Sequence, residues 1–159
     1  MMVAPMSIED LGRRAELLLV EDNYGDVLLT REAFRSAKLS NNLAVAGDGE
    51  EALMMLRRQG PYAAQPKPDL VLLDLNLPRM DGREVLKTVK SDPVLRTIPV
   101  IVLTSSKAEI DILKSYKLNA NGYIVKPVNF EQLLEIVASI ETFWFSVVVL
   151  ASGASEGGT

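Results

Sequence analysis

Short blocks of consecutive aliphatic residues recur along the chain, and stretches with apolar residues three and four apart fill the intervals between them. Blocks at residues 17–21 (LLLVE), 43–47 (LAVAG), 69–74 (DLVLLD), 98–104 (IPVIVLT) and 122–125 (GYIV) read as strands. The third is the clearest, because four large aliphatics in a row need cover on both faces. Helical spacing follows each block, over residues 25–39, 50–59, 82–90, 107–118 and from 129 to about 150. Residues 60–68 carry three prolines and predict a loop.

Five strands alternating with five helices indicate an α/β domain with a parallel sheet. In a doubly wound sheet the ligand crevice opens at the carboxyl ends of the strands, where the strand order reverses. With strand order 2-1-3-4-5 that crevice falls at the ends of the first and third strands. Those ends carry Glu21, Asp22 and Asp74. The expected division is an N-terminal tail over 1–15, one domain over 16–150, and a small, flexible C-terminal tail over 151–159.

Two full negative charges about 4 Å apart repel by roughly 4 kcal/mol at an effective dielectric near 20. A single acid at a strand end usually caps a helix. Two on one strand and a third on its neighbour instead call for a cation. Mg²⁺ suits such a group, because it is hard and takes carboxylate, water and phosphate oxygens. Thr104 ends the fourth strand and Lys126 the fifth, placing a hydroxyl and an ammonium on the same rim. Each alone would be unremarked. Together with the acids they suit phosphoryl transfer to a carboxylate, with Asp74 as the nucleophile on the central strand. Charge neutralisation by Lys126 and a metal would supply the catalysis. Asp22 is the expected direct metal ligand, with Glu21 acting through water, and backbone groups at Asn76 complete the site.

Composition narrows the alternatives. The chain has neither cysteine nor histidine, which removes disulfides, thiolate chemistry, His-metal sites and any phosphohistidine of its own. Seventeen basic against twenty-one acidic residues give a net charge of −4, against nucleic acid as a partner. Nothing reads as a secretory signal or a membrane span, so a cytoplasmic location is expected.

The motifs resemble the receiver domains of two-component response regulators over roughly residues 16–150, which carry the flavodoxin-like order 2-1-3-4-5. VEDN at 20–23 is similar to the acidic metal-binding start, and LLDLNLPRMDG at 72–82 to the phosphoacceptor strand and loop. LTSS at 103–106 and Lys126-Pro127 match the remaining signatures, and Tyr123 occupies the aromatic switch position. YGDVLLTREAF, GREVLKTVKSDP and SSKAEIDILKSYKLNANGYIVKPV are similar to the single-domain regulators of bacterial and cyanobacterial phytochromes. The resemblance implies a partner histidine kinase, of phytochrome type, that donates a phosphoryl group to Asp74. It implies no enzymatic activity beyond autocatalytic phosphorylation and slow self-dephosphorylation. It also implies that Thr104 moves toward the phosphoryl group while Tyr123 turns inward, altering the face formed by the fourth helix, fifth strand and fifth helix. With no output domain expected after the receiver, the signal leaves through protein contacts.

The last helix carries two apolar flanks. Phe130, Leu133, Val137, Ile140, Trp144 and Val147 follow one stripe that should cover the sheet. Ile136, Phe143 and Leu150 recur every seven residues on another, which predicts a homodimer unless the chain covers that flank itself. Three rival functions use the same fold. A flavin carrier would need a phosphate-cradling loop where Glu21-Asp22-Asn23 stands. An aspartyl phosphatase would need a second acid two positions after Asp74, where Asn76 stands. A scaffold that has lost phosphorylation would not need the full set of motif residues.

Overall fold

Every second residue of the central strands faces one side of the sheet, and both sides are apolar. This is why the chain builds three layers. The computed structural model describes residues 14–126 and 128–157, with side-chain surroundings given as far as Trp144. The strands are β1 (Ala15–Val20), β2 (Asn41–Ala46), β3 (Leu70–Asp74), β4 (Val100–Thr104) and β5 (Gly122–Val125). Between and after them run α1 (Tyr24–Arg35), α2 (Gly49–Leu56), α3 (Gly82–Ser91), α4 (Lys107–Ser115) and α5 (Phe130–Gly157). All pairings are parallel, in the expected order β2-β1-β3-β4-β5.

Leu18, Val20, Val71, Leu73, Val100 and Val102 form one buried layer with Val85 and Leu86 of α3 and Leu113 of α4. Leu17, Leu19, Leu70, Leu72 and Leu103 form the other, with Phe34 of α1 and Leu133, Val137 and Ile140 of α5. The alternation follows the two-residue period of a strand. It also fixes where the polar strand ends point, because Thr104 continues the α4-facing series Val100–Val102. Trp144 closes a small cluster with Ala15 and Leu39.

The helices begin at the same rim where the strands end. Asn23, Asp48 and Asp81 cap α1, α2 and α3 by accepting hydrogen bonds from the N–H groups of Asp26, Glu51 and Arg83. Gly82 is required by close approach, since a Cβ there would lie 2.5 Å from the carbonyl oxygen of Asp74 and from Cα of Leu75.

Several boundaries differ from expectation. β1 starts at Ala15, which is therefore a buried strand residue rather than part of a tail. β4 starts at Val100, because Pro99 has no N–H to contribute to the ladder. Single-turn 3₁₀ segments at Gly60–Tyr62 and Leu95–Thr97 occupy stretches expected to be irregular. α4 stops at Ser115, and Lys117 adopts a left-handed conformation, φ 58°, within the expected helix. Helical backbone continues beyond residue 150 to Gly157, where a flexible tail was expected. Extending an existing helix costs far less than nucleating one, so weak helix formers can follow a strong segment. The expected tail residues 1–13, and Pro127, lie outside the described residues, as do the side chains of Val147 and Leu150. Among the described residues no helix is long and apolar enough to cross a membrane.

Candidate functional site

Parallel pairing of β1 with β3 sets Val20 against Leu73, so the residues just beyond bring Glu21 and Asp22 beside Asp74. Carboxylate oxygens of these three lie within 4.8 Å of one another. Glu21 and Asp74 are almost wholly buried, at 3% and 2% exposure, whereas Asp22 faces solvent. Lys126 enters from the end of β5 and donates to Glu21 Oε1 at 2.6 Å and to Asp74 Oδ2 at 3.0 Å. The other Asp74 oxygen, Oδ1, accepts the backbone N–H of Asn76 at 2.9 Å. A cleft of about 420 Å³ lies alongside, lined by Glu21, Asp26, Thr30, Ser105 and Lys126.

The charges do not balance. Burial, reinforced by hydrogen bonding to Asp74, pushes the Glu21 pKa up to about 7, against the lowering effect of Lys126. Burial would lower Lys126, but its bonds to Glu21 and Asp74 outweigh that and push it upward. One ammonium thus serves several carboxylates in a poorly solvated site. A hard divalent cation fits this donor set, which offers only oxygens, and would offset the burial that raises Glu21.

Sequence reasoning placed Glu21, Asp22, Asp74 and Lys126 together, and the structure does so. Thr104 ends β4 at the same rim, as expected, with its side chain engaged on the α4 side. The Thr104 hydroxyl is fully buried and donates to Glu109 Oε1 at 2.7 Å, on the α4 side. Tyr123 is folded toward the α4–β5 connection, where its hydroxyl accepts the N–H of Ala120 at 2.9 Å. Lys114 of α4 stands over its ring, 5.2 Å from the centroid. Asn76 also joins the rim through its side chain, whose Oδ1 accepts from Ser105 N–H and Oγ–H at 3.3 and 3.1 Å.

Two participants were missed. Asp26, in the first turn of α1, is the third carboxylate on Lys126, at 3.5 Å. Glu109, in the first turn of α4, holds Thr104. Both stand three residues after a helix-capping position, Asn23 and Ser106 respectively. That spacing is a signal for an acid at a helix start, and helix starts here converge on the rim.

On the α5 flank, Ile136 is half-buried and Phe143 is 43% exposed. They border a groove of about 390 Å³ shared with Ile101, Tyr123, Ile124 and Ile140.

Comparison with known proteins agrees with the geometry. Response regulator Rcp1 of Synechocystis sp. is 44% identical over 134 residues, covering 84% of this chain and 91% of that protein. The crystal structure of the phosphorylated cyanobacterial phytochrome response regulator RcpA shares 48% identity with a TM-score of 0.75. It covers 85% of this chain and 96% of its own. The Mn²⁺-bound form of Rcp1 aligns with a TM-score of 0.72 at 44% identity, over 82% of this chain and 94% of that one. Residues 17–138 match the response regulator receiver domain, and with Asp74 at the centre of its acidic rim the chain belongs to that family.

Proposed function

We propose that this receiver accepts a phosphoryl group on Asp74 from the phosphohistidine of a partner kinase of phytochrome type. The observation that carries the reading is the meeting of Asp74 with Lys126 at 3.0 Å beside two further acids just beyond β1. In the transfer, the P–N bond of the donor breaks as a P–O bond to Asp74 forms, and the imidazole nitrogen keeps the electron pair. Asn76 N–H orients one carboxylate oxygen of Asp74, and Lys126 offsets the charge arriving on the phosphoryl oxygens. Glu21, Asp22 and Asp74, with the backbone carbonyl of Asn76, would hold Mg²⁺, which supplies further charge neutralisation. The chain has no histidine of its own from which to donate, which fits a separate donor.

The signal then leaves through the face of α4, β5 and α5, as Thr104 turns to the phosphoryl group and Tyr123 leaves its bond to Ala120. The groove bordered by Ile136 and Phe143 supports a homodimer around the last helix. The acidic net charge favours protein over nucleic-acid partners, and the cytoplasm is the compartment this reading proposes. Acetyl phosphate with Mg²⁺ should add one phosphoryl mass to the wild type and none to Asp74→Asn. Labelled phytochrome kinases should transfer their phosphate to the same residue. An unlabelled wild type under both conditions leaves the phosphorylation-independent scaffold as the better reading.

A further inference from the structure

Glu109 occupies a position that the sequence pattern would assign to something else. Ser106-Lys107-Ala108-Glu109 has the spacing of a capping box, in which the first side chain bonds the fourth N–H and the fourth side chain returns to the first N–H. That box is not formed. Ser106 makes no side-chain cap, and its N–H donates instead to Thr104 Oγ1 at 3.1 Å. The Glu109 carboxylate takes the Thr104 hydroxyl at 2.7 Å. Thr104 is thus inserted into the start of α4, between the two partners that would otherwise meet.

A threonine hydroxyl has a single proton to donate. The carbonyl of Ser106 also lies within reach of it, at 3.3 Å, but the shorter bond to a charged acceptor is the stronger. Thr104 is fully buried and points to the α4 face by strand alternation, so this arrangement is built into the sheet. A phosphoryl oxygen on Asp74 that took this proton would have to displace Glu109.

We infer that Glu109 is a positioning residue for Thr104, holding its hydroxyl toward α4 until a phosphoryl group on Asp74 draws it away. The inference rests on the acceptor role of Asp74 and names the group that opposes the switch. It also gives the switch a mechanical link, because Glu109 belongs to the first turn of α4.

The test compares phosphorylation rates with limiting acetyl phosphate and Mg²⁺, read by intact mass, in a double-mutant cycle. Glu109→Ala should react about 5- to 10-fold faster, the loss of one charge-assisted competitor expressed as a population shift. Glu109→Gln, which keeps an uncharged acceptor of the same shape, should give about 2- to 3-fold on the same basis. In a Thr104→Ala background, Glu109→Ala should change nothing further. An equal change in both backgrounds would mean that Glu109 acts only on the helix start, and a slower or unchanged Glu109→Ala would equally overturn the inference. A second arm needs no phosphoryl donor: the Thr104 methyl resonance should shift in Glu109→Ala, and an unmoved resonance also overturns it. A wild type that takes up no phosphoryl group defeats the acceptor reading and the competition, while the methyl arm still decides whether the bond exists.

Discussion

Lys126 and Asp74, 52 positions apart in sequence, meet at 3.0 Å because parallel strands deliver both to one rim. The same ammonium lies 2.6 Å from buried Glu21, so it stabilises two acids that burial alone would disfavour. Removing one partner of such a group leaves uncompensated buried charge. Lys126→Met should therefore lower unfolding free energy by about 3 kcal/mol in metal-free urea titrations. It should also abolish measurable phosphorylation of Asp74. Unchanged stability would mean that the acids are solvated well enough without the lysine.

Glu21 gives the metal-free protein a pH dependence with a defined sign. Its folded pKa, about 7, lies above the ordinary 4.5, so the folded state holds more protons between those values. Stability from this group is then greatest below about pH 4.5 and is lost as pH rises through 7. With no histidine in the chain, no other side chain ordinarily titrates in that window. The melting temperature without metal should fall between pH 5 and pH 7.5, and the fall should be absent in Glu21→Gln. Added Mg²⁺ should raise it more at pH 7.5 than at pH 5, because protons compete for the same oxygens. A flat profile for wild type would count against the raised pKa.

Gly82 allows α3 to start directly against the end of β3. A methyl group there would stand 2.5 Å from backbone atoms of Asp74 and Leu75, which cannot rotate aside as a side chain can. Gly82→Ala should cost about 2–3 kcal/mol, as for other overpacked sites. Since the displaced atoms belong to Asp74 itself, the phosphorylation rate should fall as well. Chemical denaturation and acetyl phosphate labelling read the two effects separately.

Phe143 is exposed on the α5 flank, so charge can be placed there at little cost to folding. Wild type should sediment as a dimer at tens of micromolar, and Phe143→Glu as a monomer with stability changed by less than about 0.5 kcal/mol. A monomeric wild type, phosphorylated or not, removes the dimer from the proposal.

Particular residues explain what could be read from sequence. The strand order and the acidic rim were legible because aliphatic runs such as Leu70–Leu73 demand burial on both faces, and the acids stand at their ends. Lys126 was legible because it follows a strand as short and well bounded as β5. The contacts of Asp26 and Glu109 were not, since an acid in a first turn ordinarily serves its own helix. Only the tertiary position of each helix turns it toward Lys126 or Thr104. The hydroxyl of Tyr123 likewise finds Ala120 through the path of the α4–β5 connection, which no periodicity encodes. Helix ends shifted where local turns, such as the left-handed Lys117, outweighed apolar spacing.

Asp74 and Thr104 are both ladder residues, held in register against Leu103 and Val125. The backbone beneath them is therefore a fixed frame, so a phosphoryl group added to Asp74 would be answered chiefly by torsions about single bonds and by adjoining loops. Loop motions relax within nanoseconds to microseconds, and larger switching transitions within microseconds to seconds. On the proposed transfer, the duration of a signal would be set by how long the acyl phosphate survives hydrolysis wherever that exceeds these times: a clock set by chemistry rather than by folding.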